Sequence, residues 1–148
     1  MKGLPVLLAE DNEDDAHLVQ LAMTRASIDQ PLQVVADGVE AIEYFCGRGR
    51  YADRQKFPFP RILITDLKMP RMNGFEVLEW LGHHPECSVI PTIVFSASAQ
   101  EADVDRAYRL GACAYFRKPA TLGELIQLLT VIFQFWTLGG KPVMLSTC

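Results

Sequence analysis

Five side chains able to handle a charged group stand in matching places along the chain, each soon after a short apolar run. Glu10 and Asp11 follow residues 4–9, Asp66 follows 61–65, Ser96 follows 92–95, and Lys118, with Pro119 behind it, follows 114–116. Three carboxylates brought together repel, and each raises the proton affinity of the others unless a cation intervenes. A hard, oxygen-seeking ion, Mg²⁺ or Mn²⁺, meets that need through one or two carboxylates while keeping several waters. A metal-held carboxylate beside a hydroxyl and an ammonium suits attack on a phosphoryl group. Such chemistry rests on positioning and charge neutralisation, and an aspartate can be the covalent acceptor. Taken singly, each residue has an ordinary role. Glu10, Asp11, Glu13, Asp14 and Asp15 suit the start of a helix, and Asp66, Ser96 and Lys118 could be plain loop residues. Their shared address is what asks for a shared explanation.

That address follows from the elements. The runs at 4–9, 32–36, 61–65, 92–95 and 114–116 are mostly continuous rather than alternating, as in strands buried on both faces of a parallel sheet. Helical spacing fills the gaps. Ala16, Val19 and Met23 form one stripe, widened by Leu18, Leu21 and Ala22. Ala41, Ile42 and Phe45 mark a second helix, Phe75, Leu78 and Leu81 a third, and Val104, Ala107 and Leu110 a fourth; residues 121–136 make a fifth. Strand then helix, five times over, predicts a doubly wound α/β domain with a five-stranded parallel sheet and helices on both faces. Ligands in such sheets bind beyond the carboxyl ends of the strands. All five residues therefore come to one edge.

The segment Asp66-Leu-Lys-Met-Pro-Arg-Met-Asn-Gly74 resembles the D-x-x-M-P-x-M-x-G signature of response-regulator receiver domains. Glu10-Asp11, Ser96-Ala97 and Tyr115-Phe-Arg-Lys118-Pro119 fall where that family's other motifs fall, so the resemblance spans about residues 4–136. It implies a flavodoxin-like strand order 2-1-3-4-5 and a role in two-component signal transduction. By the same resemblance Asp66 is the phosphoacceptor, Asp11 a direct Mg²⁺ ligand, Glu10 a ligand through water, and the backbone carbonyl of Lys68 a further ligand. Ser96 and Lys118 would contact the phosphoryl oxygens, and Tyr115 would be the switch aromatic. The long loop before the third strand and the aromatic end of the last helix are similar to regulators associated with phytochrome-type histidine kinases. That implies a kinase phosphohistidine as donor. Alternatives are a phosphotransfer intermediate, which reverse transfer to a histidine domain would reveal, a chemotaxis-like regulator that docks on a partner, or an interaction module without the chemistry.

Composition excludes much else. The chain has 148 residues, 49% apolar and 22% charged, which fits one globular domain. Fourteen basic residues against 18 acidic give a net charge of −4, unlike a protein that lives on nucleic acid or an anionic membrane. No stretch has the length of a membrane span or the form of a signal peptide, so a cytoplasmic protein is expected. Cys46, Cys87, Cys113 and Cys148 form no C-x-x-C pair and are expected as reduced thiols. Twelve residues follow Trp136, too few for an output domain.

Some features tempt without chemistry. Gly47, Gly49 and Ala52 match G-x-G-x-x-A, but the motif needs a strand before it and a helix after it. The loop carrying them, residues 47–60, holds Arg48, Arg50, Arg54 and Lys56 with Tyr51 and Phe57, and reads as solvated or partner-binding. His17 belongs on the solvent side of the first helix. His83 and His84 suit the end of the third and lack a third metal ligand. The last helix is apolar nearly all round, which exceeds the stripe one sheet face needs. A homodimer through the fourth helix, fifth strand and fifth helix is therefore expected, with Phe133, Phe135 and Trp136 at the interface. Pro142, Val143, Met144 and Leu145 could instead fold back to cover it.

Overall fold

A computed structural model describes residues 3–138. Strands β1 (Val6–Ala9), β2 (Leu32–Val35), β3 (Ile62–Thr65), β4 (Thr92–Ser96) and β5 (Ala114–Arg117) alternate with helices α1 (Glu13–Arg25), α2 (Gly38–Cys46), α3 (Gly74–Gly82), α4 (Glu101–Arg109) and α5 (Leu122–Phe133). All pairings are parallel, in the order β2-β1-β3-β4-β5. Every residue of β1, β3 and β4 is buried, which is why their sequences run apolar without alternation. The expected strands match to within two residues at either end.

Helix starts are written in side chains. Asn12 Oδ1 accepts from Asp15 N at 3.0 Å, and Glu13, Asp14 and Asp15 lie in the first turn of α1, at the positive end of its dipole. Asn73 and Glu76 form a reciprocal capping box on α3, and Thr121 Oγ1 caps α5. At α2, buried Asp37 accepts from Glu40 N (2.9 Å) and from Arg71 Nε (2.8 Å). Burial works to raise the Asp37 carboxyl, but the Arg71 hydrogen bond, the Glu40 amide and the guanidinium charge outweigh it and hold it below 3.8. A lowered folded-state value means the cap stabilises above the unfolded value of 3.8 and fades as pH falls through the folded one. Asp37→Ala should therefore cost about 1 kcal/mol at neutral pH. Chemical denaturation should find the gap to wild type closing as pH falls below 3.8.

Some expectations need correcting. Leu18 and Leu21 are exposed, at 44% and 39%, so the buried stripe of α1 is Ala16, Val19, Ala22 and Met23 only. The 47–60 loop is solvated only in part: Arg48, Arg50 and Lys56 are exposed, but its aromatic side pairs with the core. It contains a 3₁₀ turn, Gly49–Tyr51, and buries Tyr51 at 2% exposure against Tyr44 and Phe57 (ring centroids 4.9 and 5.2 Å away). Arg54 is spent inside it, donating to the Phe45 and Phe57 carbonyls at 2.8 and 3.0 Å. Aromatics suit a half-buried plug because they bring large apolar area with few torsions to freeze. The third correction concerns cysteine. Cys46 and Cys87 are free, whereas Cys113 is disulfide-bonded; spacing along a chain does not report the Cα separation that pairing requires.

The last helix also departs from its reading. Phe133, expected at a dimer interface, is 1% exposed and packs in the core with Leu125, Leu129 and Ile132. Trp136 is half-buried against the same core, while Val131 and Phe135 are exposed at 59% and 47%. The chain widens into a π-helical turn from Gln134 to Leu138, which rotates the aromatic run off the α-helical wheel assumed from spacing. The fold-back of Pro142 to Leu145 lies outside the described residues. Among the described residues no helix is long and apolar enough to cross a membrane.

Candidate functional site

Registration of the strands assembles the site. Ala9 lies opposite Thr65, so the next residues, Glu10 and Asp66, emerge side by side, with Asp66 N bonded to Ala9 O at 3.0 Å. Lys118 N bonds to Ser96 O at 2.8 Å and brings the lysine to the same edge from β5. One carboxylate oxygen from each of Glu10, Asp11 and Asp66 lies within 4.8 Å of the others. Glu10 and Asp66 are buried, and Asp11 is exposed at the mouth.

Lys118 organises this cluster. Its Nζ lies 2.8 Å from Glu10 Oε1, 2.8 Å from Asp15 Oδ2 and 3.0 Å from Asp66 Oδ2. An ammonium has three donors, so all are engaged. Burial alone would lower the lysine's proton affinity, yet hydrogen bonds to Asp15, Glu10 and Asp66 raise it well above the ordinary value. Glu10 is pushed above 4.5, first by burial and further by the Asp66 charge, against hydrogen bonds from Lys118 and the Asn12 amide. Asp15 is the participant missed from sequence. Nothing distinguished it from Glu13 and Asp14, since all three occupy one first turn.

Asp11, Lys68 and Ser96 line a cleft of about 610 Å³ whose walls also include Asn73, Ser98 and Asp103. Ser96 ends β4, is 2% exposed, and accepts from Ser98 N at 3.1 Å. The Tyr115 hydroxyl donates to the Ser98 carbonyl at 2.8 Å, and its half-buried ring packs on the cluster of Leu67, Phe75 and Val94. A hydroxyl beside the acids is thus joined, through one loop residue, to an aromatic on β5. Glycine at 74 is required by close approach: a Cβ there would strike the Asp66 carbonyl oxygen. Its amide bonds Leu67 O at 2.9 Å, tying α3 to the loop that leaves β3, and Leu67 N in turn donates to Asp66 Oδ1 at 2.6 Å.

Three convergent carboxylates are the donor set a hard divalent cation takes, so the residues present fit one. The histidines form no such set. His17 and His83 are exposed, while His84 stacks on Trp80 at 3.8 Å with Nδ1 2.7 Å from the Trp80 carbonyl. Among the described residues the grouping of three ligating side chains is Glu10, Asp11 and Asp66.

A five-stranded parallel sheet carrying an acidic triad, a buried hydroxyl and a bridging lysine at one edge is the arrangement of a receiver-type domain. The model of the response regulator receiver domain matches residues 6–130, and the chain belongs to that family. Response regulator Rcp1 of Synechocystis sp. is 32% identical over 131 residues, covering 88% of this chain and 87% of that protein. The Mn²⁺-bound form of Rcp1 superposes with a TM-score of 0.79 at 31% identity, over 90% of this chain and 94% of that one. Response regulator RPA3017, of red-light signalling in R. palustris, gives 0.85 at 35% identity, over 90% and 94%. The phosphorylated cyanobacterial phytochrome response regulator RcpA gives 0.84 at 32%, over 93% and 96%.

Proposed function

We propose that this receiver takes a phosphoryl group from the phosphohistidine of a phytochrome-type sensor histidine kinase onto Asp66, in a Mg²⁺- or Mn²⁺-dependent reaction. The observation that carries the reading is the Lys118 ammonium seated between buried Asp66 and Glu10. In the transfer an Asp66 carboxylate oxygen attacks phosphorus, the P–O bond forms as the P–N bond breaks, and the electron pair leaves with the histidine nitrogen. Asp11, Asp66 and the Lys68 backbone carbonyl would hold the ion, with Glu10 acting through water. The bound ion supplies neutralisation of the phosphoryl charge. Lys118 and Ser96 donate to phosphoryl oxygens, and drawing Ser96 inward frees Ser98 N and disturbs the carbonyl that receives Tyr115. The surface of α4, β5 and α5 carries the change, in the cytoplasm where the kinase domain works. The phytochrome assignment is supported by the relatives in red-light and phytochrome signalling. It is tested by transfer from a phosphorylated phytochrome-type kinase. Rapid transfer to this chain, and not to Asp66→Asn, is expected; transfer only from kinases of other input types would refute the assignment.

The same surface is our proposal for homodimerisation, with Phe135 and Trp136 as anchors and Val131 beside them. Sedimentation at ~100 μM should show pairs of ~10 μM affinity or tighter. Phe135→Ala should dissociate them without loss of fold, whereas Phe133→Ala should destabilise the monomer. A wild type that stays monomeric with and without phosphate would remove the dimer.

A further inference from the structure

The connection from β3 to α3, residues 66–73, makes its turn at Arg71, whose φ is 64°. A left-handed conformation is unfavourable for an L-residue that carries a Cβ, so some contact must hold this one. Arg71 Nε donates to Asp37 Oδ2 at 2.8 Å, and Asp37 is itself fixed at the start of α2 by the Glu40 amide. One residue further along each segment, Gly38 N donates to Met72 O at 3.0 Å. A Cβ on Gly38 would strike that same carbonyl, so the close approach is built in. The connection is thus clasped to α2 by a side chain and by backbone. Behind the clasp, Glu40 Oε1 accepts from Tyr51 OH at 3.0 Å and Glu40 Oε2 from Ala36 N at 3.2 Å. Tyr51 belongs to the packed 47–60 insertion. A hydrogen-bonded path therefore runs from that insertion through Glu40 and Asp37 to Arg71.

Lys68, three residues before Arg71, shares the cleft wall with Asp11. We propose that Arg71 and Asp37 are positioning residues, which hold the 66–73 connection in the shape that completes the divalent-cation site. The 47–60 insertion, through Tyr51 and Glu40, braces them from behind. This rests on the reading of the acidic cluster as a Mg²⁺ site. The clasp touches neither the metal ligands' carboxylates nor the phosphoryl group, so it acts on metal affinity and leaves the transfer step alone.

Arg71→Gly is the informative variant. Glycine accepts the positive φ without strain, so the substitution removes the clasp and keeps the turn. The Arg71 side chain is 58% exposed, so folding is not at stake. Titration calorimetry with Mg²⁺ should give a dissociation constant about tenfold weaker than wild type, the lower end of what removing an outer-shell support costs. In the metal-free protein the Gly38 amide should exchange its hydrogen faster. Phosphorylation of Asp66 by a small phosphodonor should fall at low Mg²⁺ and recover at saturating Mg²⁺, and Arg71→Lys should restore part of the affinity. An Arg71→Gly affinity within about twofold of wild type, or a defect that saturating Mg²⁺ does not repair, would overturn the positioning role alone. A wild type that binds no Mg²⁺ would overturn the site reading and this role with it.

Discussion

Asp66→Asn is expected to abolish phosphate incorporation while leaving the fold intact. Asp66 is the buried carboxylate that meets both Lys118 and the Leu67 amide, and its neighbour Gly74 admits no side chain between them. An amide of the same shape still accepts from Leu67 N and still faces Lys118, so packing is kept. It lacks the anionic oxygen that forms the new P–O bond. Uptake from a small phosphodonor should fall by at least about a hundredfold, the scale set by losing a covalent acceptor. Removing one charge from a crowded acidic site should also leave the variant no less stable than wild type, since Lys118 keeps Glu10 and Asp15. Quantitative mass spectrometry of both proteins after equal exposure checks this. A full signal in Asp66→Asn would move the acceptor to another acid of the cluster.

Lys118→Ala should lose stability, and the loss should depend on metal. The ammonium holds two buried carboxylates and the partly exposed Asp15. Leaving buried charges without their partner costs about 3 kcal/mol. Glu10, already above 4.5 through burial, should rise further in the variant. A carboxyl whose folded value is raised opposes folding once it must ionise. The penalty is thus absent below about 4.5 and grows as pH rises through the folded value. A divalent cation can take over the missing positive charge. Thermal unfolding should therefore show Mg²⁺ raising the midpoint of Lys118→Ala by more than that of wild type. Phosphate uptake at saturating Mg²⁺ should stay about tenfold to a hundredfold low, since a charge-assisted contact to the phosphoryl group is gone. Equal Mg²⁺ responses in the two proteins would contradict the placing of Lys118 at the centre of the cluster.

The sheet and the edge residues were legible because parallel strands buried on both faces leave uninterrupted apolar runs, and chemistry collects where those runs stop. Glu10, Asp11, Asp66, Ser96 and Lys118 were found on that ground alone. Asp15 was not, because its contact with Lys118 spans 103 positions along the chain and its local setting is an ordinary helix start. The 47–60 insertion was half legible for a related reason. Arg48, Arg50 and Lys56 do face solvent, yet Arg54 is used to tie backbone carbonyls and Tyr51 fills a hole beside Tyr44. Phe133 is buried where spacing alone set it among candidate interface residues, because an apolar helix of this length has more apolar positions than one stripe. Which of them face inward depends on α1, which packs against it. Tertiary contacts of this kind leave no periodic mark.

Intact-mass measurement followed by peptide mapping, after incubation with a small phosphodonor with and without EDTA, bears most directly on the central claim. One phosphoryl group per chain, confined to the peptide holding Asp66, labile to base and absent when EDTA is present, is the expected result. Phosphate on any other residue, or uptake undiminished by EDTA, would contradict a metal-assisted acceptor built from Glu10, Asp11, Asp66 and Lys118.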